Sequence, residues 1–196
     1  MKDEKQFGRD DGSLIETQVA SELIFDGAVL HVYRDDIALP DGKLGFREYI
    51  RHVGAVCVIP VTAENEVVCV RQYRYAVGEV LLEIPAGKLD FKGEDPESAA
   101  RRELREETGA VCGRLTYLGK YLGSPALIDE TIHMYLAEDL TFGETDFDED
   151  EFLDIVRIPL SDMVEAVLSG KIADGKTQAA VMRAAWMRAE KREASL

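Results

Sequence analysis

The sequence predicts a mixed α/β (α+β) fold, with a small amino-terminal antiparallel sheet ahead of the main domain. Three observations carry this expectation. Apolar strand-like runs stand both before and after one helix at residues 96–108. Two further helical segments close the chain, and residues 1–50 break into short strands at Asp-Gly and Pro-Asp-Gly turns. Strands flanking an embedded helix, with helices at the end, predict a mixed sheet covered on both faces.

Residues 1–16 are polar and charged and read as a loose tail. Residues 21–27 and 28–34 read as strands around an Asp26-Gly27 turn. Residues 37–39 end at Pro40-Asp41-Gly42, and residues 45–52 resume an extended pattern. A sheet this small has little core, so residues 1–50 are expected to pack on the rest of the chain or on a second subunit.

The main domain, residues 51–196, opens with the apolar run at 54–61, typical of a buried strand. A turn at Glu64-Asn65-Glu66 leads into a strand at 67–74, and Arg71 and Arg74 leave that strand toward Glu83. Arginines there are candidates to grip phosphate through the guanidinium fork, or else they pair with surface carboxylates. Further strands are expected at 114–122, 130–137 and 152–159, the last preceded by an acidic loop. His31, His52 and His133 read as strand residues rather than metal ligands. A helix capped by Ser161 and stopped near Gly170 follows, then a longer one from about Lys176. Ala179, Val181, Met182, Ala185 and Trp186 are its expected packing residues.

The central helix carries the chemistry. Asp95-Pro96 is a strong start, because aspartate caps and proline suits the first helical position. Gly109 is a natural stop. Glu103, Glu106 and Glu107 fall at offsets of three and four, so their carboxylates share one face and repel. Arg101, Arg102, Arg105 or a bound cation must offset that repulsion. A charge-laced solvated helix is one reading. The other is metal-assisted phosphate chemistry, since magnesium takes one or two carboxylates plus phosphate oxygens.

Composition narrows the classes. The chain has 196 residues, 46% hydrophobic and 31% charged, enough for one full core. A net charge of −15 argues against nucleic-acid binding, which needs a basic face. No apolar run approaches the roughly 20 residues that span a bilayer, so no membrane partner is expected. The charged amino terminus shows no secretory signal, and Cys57, Cys69 and Cys112 suit neither a disulfide framework nor a zinc site. A cytoplasmic location is expected. Residues 82–89 fail the P-loop pattern at Leu82 and Leu89, and residues 146–157 fail the EF-hand pattern at Glu151 and Arg157.

From Glu94 onward the central stretch resembles the Nudix hydrolase box. That box runs glutamate, seven residues, Arg-Glu, aliphatic, any, Glu-Glu, any, Gly, aliphatic. Here it reads Glu94, then Arg102-Glu103-Leu104-Arg105-Glu106-Glu107-Thr108-Gly109-Ala110. Six residues separate Gly87 from Glu94 where the family has five, and the last position is the small Ala110. The extra residue falls in the loop at 90–93. The flanks, Arg71-Gln72-Tyr73-Arg74, residues 82–90, Pro125 sixteen residues after Gly109, Arg47-Glu48 and Asp174-x-Lys176-Thr177, resemble the ADP-ribose pyrophosphatase branch.

The resemblance implies an α/β/α sandwich and a homodimer in which the small amino-terminal sheet reaches the partner's active site. It implies Mg²⁺, with Mn²⁺ as the alternative ion, held by Glu103 and Glu107 with help from Glu106 and the Ala86 carbonyl. Gly87, Glu94, Arg102 and Gly109 become structural members of the motif, with Arg102 orienting the glutamates. Glu151, then Glu149, is the implied base or extra ligand, and Glu106 joins them as a catalytic candidate. Arg74 and Arg71 are the candidates for phosphate, and Arg47 and Glu48 for the adenine end. The implied reaction cleaves ADP-ribose to AMP and ribose 5-phosphate. Another nucleotide sugar such as GDP-mannose, or a sensor that binds without hydrolysis, stands as the alternative.

Overall fold

Among the residues that the computed structural model describes, 12–147 and 152–193, the chain divides into two units. One takes the described residues up to His52 together with Ser124–Asp129, the other Val53–Gly123 together with the described residues from Glu130 onward. Glu149 and Glu151 lie outside the described residues.

The first unit is an antiparallel meander of β1 (Thr17–Asp26), β2 (His31–Ala38) and β3 (Leu44–Arg51), in that order. The first reversal is wider than the expected Asp26-Gly27 turn. The Gly27 N–H donates to the Leu30 carbonyl at 2.9 Å, so residues 27–30 form the loop and β2 starts only at His31. At the second reversal Gly42 adopts φ 84°, a left-handed conformation that glycine takes at no steric cost. Asp35 is buried in the sheet and accepts from the Gln18 amide at 2.7 Å and the Tyr49 hydroxyl at 3.0 Å. The loop at 124–129 is tied to the same unit, since the Ile50 N–H donates to Leu127 and its carbonyl accepts from Asp129.

The second unit contains two sheets. In one, β5 (Glu66–Arg74) lies between β6 (Glu79–Glu83) and β10 (Leu153–Pro159), all antiparallel. The other runs β7 (Ala86–Lys88), β4 (Ala55–Pro60), β9 (Ile132–Phe142), β8 (Ala110–Tyr121), and is mixed because β4 and β9 are parallel. β6 and β7 are strands the sequence did not announce. Each is short, and Pro85 separates them where the chain passes from one sheet to the other.

Strand alternation builds two cores from β4. Cys57 and Ile59 face Met134 and Leu136 together with Met163, Val181 and Ala184 of α2 (Leu160–Leu168) and α3 (Gly175–Glu193). Val56 and Val58 face Ala99, Ala100 and Leu104 of α1 (Pro96–Thr108). Helices therefore cover the mixed sheet on both faces, as expected of an α/β/α arrangement. Cys57 and Cys69 are fully buried, and burial pushes both thiols up to about 12, so they behave as small core residues.

Two helix expectations need correction. Ser161 does not cap α2: the cap position is Pro159, and the Ser161 hydroxyl donates to Asp162 instead. Leu160, buried at the helix start, draws the helix in two residues early. Trp186 is 68% exposed and Met182 37% exposed, so neither is core. The buried positions of α3 are Thr177, Ala180, Val181 and Ala184, one face at spacings of three and four, and residues 182 and 186 fall on another. No described helix is long and apolar enough to cross a membrane.

Candidate active site

The site grows from α1. Asp95 caps it as the sequence predicts, accepting from the Ser98 N–H at 3.0 Å, and Pro96 takes the first helical position. Ala99, Ala100 and Leu104 fix its apolar side against the mixed sheet. That docking turns Glu103 and Glu107, one turn apart, inward, where they are 9% and 4% exposed. The Ala86 N–H donates to Glu107 Oε2 at 3.3 Å.

At the far end Gly109 adopts φ 66°, and its N–H donates to the Arg105 carbonyl at 2.8 Å. A Cβ there would lie 2.4 Å from the Gly143 carbonyl oxygen. Gly109→Ala is expected to cost at least roughly 1–2 kcal/mol from the left-handed conformation alone, with the backbone clash added. Urea unfolding measures it, and a loss well under that figure would contradict the packing described.

β7 completes the cleft. In the pairing of β4 with β7, Val58 donates to Pro85 at 2.9 Å and Leu89 donates to Gly54 at 3.0 Å. Antiparallel pairs alternate, so Ala86, opposite Cys57, keeps its N–H and carbonyl on the side away from β4. Gly87 lies against Glu103: a Cβ on it would stand 2.1 Å from the Glu103 carboxyl carbon. The extra residue between Gly87 and Glu94 leaves this intact. It is taken up by a turn in which Glu94 N–H reaches the Phe91 carbonyl at 3.1 Å and Gly93 adopts φ 95°. The Glu94 carboxylate then accepts from the Asp90 N–H at 2.7 Å.

Of the three arginines on α1, one serves the carboxylates. Arg101 pairs with Glu97 at 2.9 Å and Arg105 with Asp146 at 4.0 Å, both at the exposed side. Arg102 donates to Glu103 at 2.8 Å, to Glu106 at 3.2 Å and to the Lys88 carbonyl at 3.3 Å. Burial opposes its charge, but Glu103, Asp90 and Glu106 outweigh that and hold the guanidinium above its ordinary value.

Arg74 is engaged by a partner that sequence reasoning assigned no role. Its Nε and Nη2 donate to the two oxygens of Glu83 at 2.7 and 2.8 Å. Lys176 also donates to Glu83 and pairs with Asp174 at 3.1 Å. Glu83 is 1% exposed, and burial alone would raise its carboxyl, yet Arg74 and Lys176 hold it below the ordinary 4.5. Such a carboxyl binds protons more weakly when folded than unfolded, so its stabilisation is complete above that pH and is lost as the pH falls through the folded value. Urea unfolding should show stability dropping below pH 4.5 more steeply in the wild type than in Glu83→Gln. The available signal was Glu83 itself, a charged residue between Leu82 and Ile84 in an apolar run.

Arg71 lies beside Asp154 at 3.6 Å, with both side chains half or more exposed. In the first unit Arg47 pairs with Glu16, and Glu48 stands opposite Arg34 in the ladder.

Among the described residues no three His, Cys, Asp or Glu side chains gather as a metal cage. Two buried glutamates, a side-chain-free residue against one of them and an outward-facing carbonyl are what converge. That donor set fits magnesium, which keeps several waters and completes its shell with substrate phosphate.

A model of the NUDIX domain matches residues 51–184. An ADP-ribose pyrophosphatase of Bacillus subtilis (strain 168) is 43% identical over 171 residues, 86% of this chain and 92% of the relative. A methanol dehydrogenase activator of Bacillus methanolicus is 43% identical over 173 residues, 87% of this chain and 93% of the relative. A GDP-mannose pyrophosphatase of Escherichia coli (strain K12) is 32% identical over 177 residues, 84% of this chain and 90% of the relative. A solved structure described as an ADP compounds hydrolase superposes with a TM-score of 0.79 at 25% identity, covering 90% of this chain and 96% of that one. The inward glutamates of α1, the glycine held against them and a domain match over most of the chain agree, and the protein belongs to the Nudix hydrolase family.

Proposed function

We propose that the protein hydrolyses the diphosphate of ADP-ribose, giving AMP and ribose 5-phosphate, with Mg²⁺ or Mn²⁺ bound at α1. The observation that carries this reading is the buried pair Glu103 and Glu107 facing the Ala86-Gly87 edge of β7. The names of the relatives at 43% and 32% identity place a nucleotide joined to a second group through diphosphate among the substrates to test first.

Glu103, Glu107 and the Ala86 carbonyl would hold the ions, with Glu106 assisting. A divalent ion held there would lower the pKa of a water and offset negative charge at phosphorus. Arg102 fixes Glu103 and Glu106 in place through the bonds already described. Glu151, with Glu149 as second choice, takes the proton from the attacking water. One water is consumed, one phosphorus–oxygen bond forms and the bridging one breaks. Arg74 gives two of its nitrogens to Glu83, so Nη1 is the group left to meet phosphate.

The protein acts as a homodimer in the cytoplasm, with Arg47 and Glu48 meeting the adenine end across the dimer. The exposure of Val19, Leu23, Ile24 and Phe25 along β1 supports an intersubunit role for that sheet. Intact Glu103, Glu106 and Glu107 favour hydrolysis over a sensor that binds ADP-ribose unchanged.

The test is to incubate the protein with Mg²⁺ and a panel of ADP-ribose, GDP-mannose and other nucleotide sugars and to identify the products. AMP and ribose 5-phosphate as the fastest-formed pair support the proposal. Faster cleavage of GDP-mannose moves the substrate, and tight binding of ADP-ribose without products replaces hydrolysis by sensing.

A further inference from the structure

The segment that carries Ala86 takes part of its support from outside its own sheets. It lies where the chain leaves β6 in one sheet and enters β7 in the other, and Pro85 at the crossing has no N–H to give. Ile84, fully buried, finds its partner elsewhere: its N–H donates to the Thr177 hydroxyl at 3.0 Å, ninety-three residues further along the chain. That hydroxyl donates in turn to Asp174 at 2.5 Å, which fixes its lone pairs toward Ile84. Asp174 also accepts the Thr177 N–H at 2.9 Å and pairs with Lys176 at 3.1 Å. Lys176, with a side chain 12% exposed, reaches the carboxylate of Glu83, the residue before Ile84.

We propose that Asp174, Lys176 and Thr177, at the start of α3, are positioning residues that set the Ile84–Ala86 crossing and thereby the Ala86 carbonyl in the metal site. The inference rests on the reading that this carbonyl is a metal ligand. Two consecutive residues are gripped from one side, Glu83 by Lys176 and Ile84 by Thr177. On the other side Val58 holds the Pro85 carbonyl and Glu107 the Ala86 N–H. The carbonyl of Ala86 is thus placed by bonds at 83, 84, 85 and 86, and the first two come from α3. A purely structural role for α3 needs only its apolar face, Ala180, Val181 and Ala184, which lies further along the helix.

The test uses the full-length protein, with Mn²⁺ as the probe, read by electron paramagnetic resonance titration without substrate and by kcat and KM under varied Mg²⁺. Outer-shell changes typically cost 10–100-fold in metal affinity or activity. Thr177→Val is expected to weaken Mn²⁺ binding and lower kcat within that range while KM at saturating metal stays within about twofold. Thr177→Ser, which keeps the hydroxyl, is expected to restore both. Lys176→Met, the arm that decides if Thr177→Val does not fold, is expected to shift Mn²⁺ affinity in the same direction. Wild-type Mn²⁺ affinity in both Thr177→Val and Lys176→Met, with only the unfolding temperature lowered, overturns the inference and leaves the metal site standing. A wild-type protein that binds no Mn²⁺ overturns the metal site, and this inference with it.

Discussion

Glu107→Gln is expected to abolish nearly all turnover while leaving the fold as stable as before. Glu107 is 4% exposed and its Oε2 accepts the Ala86 N–H, a bond that the amide oxygen of glutamine can also accept. The shape of the site is therefore kept and only the charge is lost. That charge lies on one helix face with Glu103 and Glu106, and removing it relieves repulsion between carboxylates a turn apart. Stability should hold or rise, as thermal unfolding would show. Metal-assisted charge stabilisation is worth several kcal/mol and each 1.36 kcal/mol is tenfold in rate, so kcat should fall by roughly 10²–10⁴-fold. Mn²⁺ affinity should fall with it. A near-normal rate would remove Glu107 from the metal site, and a large loss of stability would assign it to the fold instead.

What could be read from the sequence was whatever depended on local order. The helix at 96–108 carries its own start and stop in Asp95-Pro96 and Gly109, and both ends fall where those residues place them. That Glu103, Glu106 and Glu107 share one helix face followed from their spacing, but that Glu103 and Glu107 turn inward did not, because it depends on how α1 docks. Which arginine answers the carboxylates did not follow, because Arg101, Arg102 and Arg105 all lie within reach along the helix. Docking decides it: Arg102 lies over the Lys88 end of β7, and its neighbours do not. β6 and β7 were illegible for a related reason. Their ladders are five and three residues long, and their pairing is set by β4 and β5 rather than by any periodicity of their own. The Glu83–Lys176 contact spans ninety-three residues, so only the fold could reveal it. Trp186 was misplaced by composition: aromatic bulk favours burial in general, but the phase of α3 is set by the smaller Ala180, Val181 and Ala184.

Gly87→Ala should be nearly as damaging to activity as the loss of Glu107, for a different physical reason. One added methyl group would stand 2.1 Å from both the carboxyl carbon and Oε1 of Glu103. No real Cβ sits that close, so either β7 or the Glu103 side chain must shift. β7 is pinned through Pro85 and Leu89 to β4, whereas the carboxylate sits at the end of a side chain, so the carboxylate gives way. Glu103 is held by Arg102 at 2.8 Å, and its displacement drags the pair out of register with Glu107. A misplacement of about 1 Å at a reacting centre can cost on the order of 10²-fold, which is the loss expected here in kcat. The fold has a flexible side-chain end to move rather than backbone, so the unfolding free energy should change by less than about 1 kcal/mol, within the ordinary run of single substitutions. The decisive measurement is a double-mutant cycle. If the methyl group acts only by moving that carboxylate, Gly87→Ala should cost almost nothing further once Glu103→Ala is in place, because the two changes share one target. Additive losses in the cycle would mean that the methyl group disturbs β7 itself, and that the close approach of Gly87 to Glu103 is incidental to catalysis.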